Sequence, residues 1–313
     1  MGAANLVAVF CWSVAADATK AIPGNLLEAV KRKDAKRTRQ LLELGAALAP
    51  RDQLLRSPLH LSAAAGEEQL TRLLLAFHAD PDVVDAQQRT PLHQAALQGH
   101  SAVCLALLQN GASAKLRDEE GDSPLHLSAR PKYAALALAR LLADAMSPTS
   151  PTSPTWPAND RGETPLHAMA LRGRAKVVRM LLAQRADASV KDNRGWTALS
   201  AAAARGHSAT ARVLLDASPV GPSSGASPLA LAAKAGHAEM VQFLQLKGLR
   251  QDPLEGYSPL EWATRTGHHA VMELLSAEAD AADAEHCVSR PLDVLKKEDA
   301  PVPMFSRSSR AGS

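Results

Sequence analysis

Eleven histidines are the residues of this chain best suited to chemistry, as metal ligands or as proton carriers. Their spacing argues against both. His60, His93, His126 and His167 each close the same tetrapeptide, while His100, His207, His237 and His268 each follow a glycine. Equivalent positions in successive copies lie about one module apart, so the imidazoles do not converge on one ion. His268 and His269 are neighbours in the chain, and adjacent helical residues diverge too far to share a metal. Nucleophilic catalysis would need a Ser or Cys with a base, an orienting carboxylate and an oxyanion hole, and no such set is marked. No glycine-rich phosphate loop precedes a Lys-Ser or Lys-Thr pair; Gly221-Pro222-Ser223-Ser224-Gly225 reads as a flexible loop. The expectation is therefore no enzyme, with no catalytic residue, no metal site, no cofactor and no small-molecule substrate.

The elements that position these histidines are legible from repetition. Ser57-Pro58-Leu59-His60 returns as Thr90-Pro91-Leu92-His93, Ser123-Pro124-Leu125-His126 and Thr164-Pro165-Leu166-His167, in steps of 33, 33 and 41 residues. Degenerate copies follow at Thr197-Ala198-Leu199-Ser200, Ser227-Pro228-Leu229-Ala230 and Ser258-Pro259-Leu260-Glu261. Each starts a helix: the Ser or Thr hydroxyl caps it, and Pro takes the first helical position, where its missing N–H is harmless. In the copy at Thr90 this helix runs to about Gln98, and Gly99-His100 makes a turn. A second helix then carries Val103, Leu107 and Leu108 before Asn110-Gly111 ends it. Lys115 to Asp122 is polar and turn-forming, as a projecting loop would be.

Composition agrees with thin helices. Hydrophobic residues make up 46% of the 313, yet Phe, Trp and Tyr only 3%, so burial rests on Leu, Ala and Val. Such small side chains pack closely only where elements approach one another, which favours short helices over a sheet sandwich. The net charge of +3 excludes a wholesale nucleic-acid or membrane coat. Cys11, Cys104 and Cys287 are odd in number and far apart, which fits a reducing compartment better than a disulfide framework. The apolar stretch Ala3 to Ala16 is too short to span a membrane, and no Lys or Arg precedes it as a signal peptide would require. The location expected is the cytoplasm, with the nucleus as the alternative.

The Ser/Thr-Pro-Leu-His element, the Gly-His turn and the Leu-Leu pair closely resemble the ankyrin repeat, from about Asn25 to Ala279. The resemblance implies an all-α solenoid of stacked antiparallel helix pairs, with β-hairpin loops projecting sideways and a concave binding face. It also implies that the tetrapeptide histidine bonds its Ser or Thr partner and the neighbouring loop backbone. Stability would come from stacking, since no module buries enough area alone. The expected organisation is an N-terminal extension over 1–23 and an array over 24–279, followed by a disordered tail over 280–313. Within the array lie a cap at 24–56, modules at 57–89, 90–122, 123–163, 164–196, 197–226 and 227–257, and a closing cap at 258–279. The module at 123–163 shows Pro131-Lys132-Tyr133 in place of Gly-His, and its extra length carries a Ser/Pro/Thr insert from Ser147 to Thr155. Its Ser-Pro steps read either as proline-directed kinase substrates or as an inert loop. The two short modules after Thr197 are expected to be weaker.

Aligning the copies just before the turn glycine places a basic residue in every module from the third onward: Arg130, Arg172, Arg205, Lys234 and Arg265. Stacked in register, these would form a positive strip for an acidic or phosphorylated partner; the alternative is that they keep Ala-rich helices soluble. Trp196 and Tyr257, just ahead of their tetrapeptides, read as binding hot spots on loop tips or as packing against the next loop. The basic run Lys31 to Arg39 reads as a solvated cap, with a nuclear-localisation or nucleic-acid contact as the alternative. The function expected is a non-catalytic scaffold or adaptor that binds a protein partner through groove and loop tips. The alternative is a regulatory or substrate-recognition subunit of an enzyme complex, such as a ubiquitin ligase or a kinase or phosphatase assembly.

Overall fold

The computed structural model describes residues 25–130, 136–146, 156–217, 226–249 and 252–277. The N-terminal extension, the Pro131-Lys132-Tyr133 turn, the insert from Ser147 to Thr155, the loop at Gly221 to Gly225 and the tail all lie outside these residues.

Helices follow one another in pairs. The cap is α1 (Leu26–Lys31) and α2 (Ala35–Glu43). The next pairs are α3 (Pro58–Ala65) with α4 (Glu68–Ala76), α5 (Pro91–Gln98) with α6 (Ser101–Gln109), and α7 (Pro124–Leu127) with α8 (Leu136–Met146). Then come α9 (Pro165–Leu171) with α10 (Ala175–Ala183), α11 (Ala198–Ala204) with α12 (Ser208–Ala217), and α13 (Pro228–Ala235) with α14 (Ala238–Leu246). The last pair is α15 (Pro259–Thr266) and α16 (269–277). First helices pack on first helices and second on second: α3 lies between α1 and α5, and α4 beside α6.

The start of each first helix obeys the sequence. Ser57 and Thr90 sit in extended backbone and accept the N–H of His60 and His93, with Pro at the first helical position. Gly66, Gly99, Gly236 and Gly267 close α3, α5, α13 and α15 in the left-handed region that a side chain resists. The helix α7 is a single turn, Pro124–Leu127, and the chain continues in tighter turns, with Ala129 N–H donating to His126 O and Arg130 N–H to Leu127 O. The second helices bury one stripe each, such as Val103, Cys104, Ala106 and Leu107 of α6. One continuous core, built almost wholly from Leu, Ala, Val and Met, runs from Leu26 to Leu275.

The loops between pairs differ from the β-hairpins that the resemblance implies. Among the described residues the β-type pairing is one isolated antiparallel bridge, Leu254 with Tyr257. The earlier loops are tight turns closed by one carboxylate or amide oxygen. Asp85 Oδ1 accepts from Gln87 N–H and Arg89 N–H, both at 2.9 Å, and Asp118 Oδ1 does the same for Glu120 and Asp122. Asp52, Asn159 and Asp192 repeat the device. Loops bond to loops along the row: Ala86 N–H to Leu54 O, Glu119 to Gln87, Asp160 to Glu120 and Asn193 to Arg161, at 3.0 to 3.2 Å.

Candidate functional site

The Ser–His and Thr–His pairs of the tetrapeptides look at first like a nucleophile beside its base. Ser57 Oγ and Thr90 Oγ1 lie 2.9 Å from the Nδ1 atoms of His60 and His93. Ser123 and Thr164 stand 2.8 and 2.9 Å from His126 and His167. Each Nδ1 also accepts the N–H of its own Ser or Thr. Each Nε2 then donates to a carbonyl of the following loop: Arg89 O at 2.8 Å, Asp122 O at 3.1 Å, Glu163 O and Trp196 O at 3.0 Å. Both ring nitrogens are thus committed to one neutral tautomer, and the rings are buried. Burial pushes His93 and His126 down to about 4, against a weaker upward pull from Asp118 and the Glu163 carbonyl respectively. A base that weak and that inaccessible does no proton transfer near neutral pH; it fastens one module to the next. Among the described residues no group of three His, Cys, Asp or Glu is placed to hold a metal ion.

The histidines after the turn glycines form a second fastening that the sequence reading left unassigned. The ring of His100 covers Gly66 so closely that a Cβ there would lie 2.7 Å from it, and His100 Nε2 donates to Ala64 O at 3.2 Å. His207 covers Gly173, His237 covers Gly206 and His268 covers Gly236 in the same way. Where the chain has Arg174 at the histidine position, its Nε donates to Ala129 O at 3.4 Å. At the first joint Glu67 replaces histidine and pairs with Lys33 Nζ at 2.8 Å.

The five basic residues do not form the uniform strip expected from the alignment. Arg130, Lys234 and Arg265 stand one position ahead of Arg172 and Arg205, and adjacent helical positions point about 100° apart. The first three are held by their own chain. Arg130 Nη2 lies 3.6 Å from Asp122 Oδ2, and Lys234 Nζ lies 3.2 Å from Glu255 and 3.8 Å over the Trp262 ring. Arg265 stacks on Tyr257 at 4.4 Å. Arg172 and Arg205 instead cap α9 and α11 in consecutive modules. Both side chains are exposed, and among the described residues neither guanidinium makes a hydrogen bond or ion pair, although each backbone N–H closes its helix. His207 lies beside them; burial lowers it, the Leu171 carbonyl raises it, and Arg205, His237 and Arg174 lower it further.

Trp196 and Tyr257 are not at loop tips. The tips are pairs such as Gln87-Gln88, Glu120-Gly121 and Arg194-Gly195, while the residue before each tetrapeptide sits at the loop base, where its carbonyl meets the histidine. Arg89 and Asp122, which stand at the equivalent position ahead of their tetrapeptides, are 8% and 7% exposed. Arg89 Nε donates to Asp118 Oδ2 at 3.0 Å, a buried pair between consecutive loops. Trp196 is half-buried, with the Arg194 guanidinium 4.2 Å over its ring, and packs with Ala226 against Ala230, Leu231, Leu254 and Trp262. Tyr257 meets Trp262 edge-on at 5.3 Å. These rings stand where the tetrapeptide histidines run out, since Ser200, Ala230 and Glu261 occupy their positions; Ser200 Oγ still reaches Ala226 O at 2.8 Å.

Fold and fastenings together define a tandem helical-repeat solenoid whose modules are joined by histidine. A family model described as ankyrin repeats (3 copies) matches residues 26–118, 59–148, 104–191, 125–222 and 217–285. The chain belongs to the ankyrin repeat family, whose repeats are protein–protein interaction modules. The ankyrin repeat domain of human ASB11 is 24% identical with a TM-score of 0.59, over 69% of this chain and 97% of that one. The ankyrin repeat domain of Bcl-3, described as a unique member of the IkappaB protein family, is 21% identical with a TM-score of 0.58. That match covers 72% of this chain and 100% of the other. At these identities both are likenesses of fold. No curated protein matches the chain in sequence. No described helix is long and apolar enough to cross a membrane.

Proposed function

We propose that this array is a non-catalytic scaffold or adaptor working in the cytoplasm. It seats a protein partner on the groove lined by its first helices, and Arg172 and Arg205 receive an acidic or phosphorylated segment of that partner. One observation carries the reading: two exposed guanidinium groups in consecutive modules have no partner among the described residues, whereas the neighbouring cations are engaged. A guanidinium presents a planar fork that matches carboxylate or phosphate, and each charge-assisted bond contributes about 1.5–3 kcal/mol. Stacked modules hold the pair in place, so binding needs little refolding.

The test is fluorescence anisotropy of a labelled acidic phosphoserine peptide on the full chain. Arg172→Glu with Arg205→Glu should weaken binding at least about tenfold, while Arg179→Glu on the exposed face of α10 should not. Equal affinity in all three would move the site elsewhere. Tight binding to nonspecific DNA with a steep salt slope would point to nucleic acid instead.

A further inference from the structure

Arg172 and Arg205 hold the same position in consecutive modules, directly ahead of the turn glycine, and the joint between those modules ties them together. His207, two residues past Arg205, lies over Gly173, the neighbour of Arg172. Its Nε2 donates to Leu171 O at 3.2 Å. The helices that the two arginines close, α9 and α11, pack on each other. Packed helices lie about 8–10 Å apart, so the two guanidinium groups extend from backbone points one such step apart. That step is taken once. The same position reads Ala65 and Gln98 in the first two modules and Ala235 and Thr266 in the last two pairs, none of them charged. The half-buried Leu171 and Ala204, one residue earlier, present apolar surface beside the pair. Charge around it has one sign. From Thr164 to Ala217 stand nine basic residues and three acidic ones, whereas from Ser57 to Asp122 the counts are four and nine. Those three acids are engaged: Asp192 turns its oxygens into its own loop, Asp187 accepts from Ser189, and Asp216 faces Lys247 at 4.0 Å.

We infer that the partner segment presents two oxyanions, carboxylate or phosphate, three residues apart on a polyproline-type backbone, one on Arg172 and the other on Arg205. This deepens the partner reading and rests on it. Chain geometry selects the spacing. Polyproline II repeats every three residues and rises about 3.1 Å per residue, so positions n and n + 3 share a face about 9 Å apart. A β-strand brings n and n + 2 to one face at about 6.5 Å and n and n + 4 at about 13 Å, on either side of the module step. A helix would need n and n + 7, about 10.5 Å apart, and two turns of a structure that is marginal in a short free peptide. Polyproline II is already a major conformer of unfolded chains, so a segment without structure of its own meets the pair at small entropic cost. The segment therefore runs along the row of modules, across the ends of the first helices.

The test is fluorescence anisotropy on the full chain with three labelled peptides of one composition, whose two phosphoserines are separated by no residue, by two or by six. The peptide with two intervening residues should bind at least about tenfold tighter than the others, because only there does the second contact form without loss of the first. Arg205→Gln should erase that advantage and leave the weaker peptides within about twofold of their parent affinity. A glutamate series should show the same preference, and the tighter series names the anion. Equal affinity of the three peptides, with binding still lost in Arg172→Glu/Arg205→Glu, would overturn the spacing and leave the partner reading standing. No binding, or binding that survives that double reversal, would overturn both. Preference for the six-residue separation would replace the extended segment by a helix, and a preference that persists in Arg205→Gln would refute the pairing of the two arginines.

Discussion

Acidification between pH 6.5 and 5 should loosen the central modules before the carboxylates titrate. His93 and His126 are neutral in the folded chain because burial holds them at about 4, whereas an unfolded histidine titrates near 6.5. A base whose pKa falls on folding contributes fully above its unfolded value, and that contribution is lost as pH falls toward the folded one. At roughly 1.4 kcal/mol per pH unit, reached only below the unfolded pKa, each histidine surrenders about 1.5 kcal/mol between pH 6.5 and 5, and the pair about 3 kcal/mol. His60 and His167 shift in the same direction. Asp122 acts oppositely: burial raises its carboxyl, so its protonation relieves a penalty. Urea unfolding followed by circular dichroism at pH 7.5, 6.5 and 5 measures the loss. A His93→Gln/His126→Gln chain should be less stable at pH 7.5 yet lose less over the same range, the remaining loss coming from His60 and His167. A parent midpoint that does not move between pH 6.5 and 5 would refute the neutral-fastening account.

Replacing Leu107, fully buried in α6, by Ala should cost about 2–5 kcal/mol and lower the thermal midpoint. Gly66→Ala meets two penalties, a left-handed backbone and the His100 ring, and should cost at least about 1–2 kcal/mol in the same melt. The Cys104 thiol, which burial pushes up to about 12, should resist a thiol-specific chromogenic reagent until the chain unfolds, so its labelling rate reports opening of the array. The Arg172→Glu/Arg205→Glu chain should melt with the parent, since both side chains are exposed.

The helix pairs were legible because six of them begin with a Ser/Thr-Pro step and many first helices close on Gly, and both residues act through local backbone geometry. The loops were less so. Asp52, Asp85, Asp118, Asn159 and Asp192 recur on the same steps as the tetrapeptides, five residues ahead of each, and that period was available as a signal. It was missed because polar residues in a turn read as solvated, whereas Asp118 is 5% exposed with its carboxylate folded back on its own loop. The basic residues before the turn glycine were visible, but which of them is engaged depends on how the adjoining loop folds back: Glu255 of the following loop for Lys234, Tyr257 of the preceding loop for Arg265. The spacing alone does not say which loop side chain will turn toward the helix end.

The glycine-and-imidazole joint divides its two halves between neighbours, so each module carries a socket toward its successor and a plug toward its predecessor. A tandem duplication cut anywhere inside such a unit delivers a complete joint at the new seam, and the array can lengthen without redesign. Among the described residues two seams break the rule: Lys33 meets Glu67, and Arg174 reaches Ala129. A copied unit crossing either would arrive with mismatched halves. A unit copied within 164–257 would therefore arrive with both halves of the joint, and one copied across either of those two seams would not.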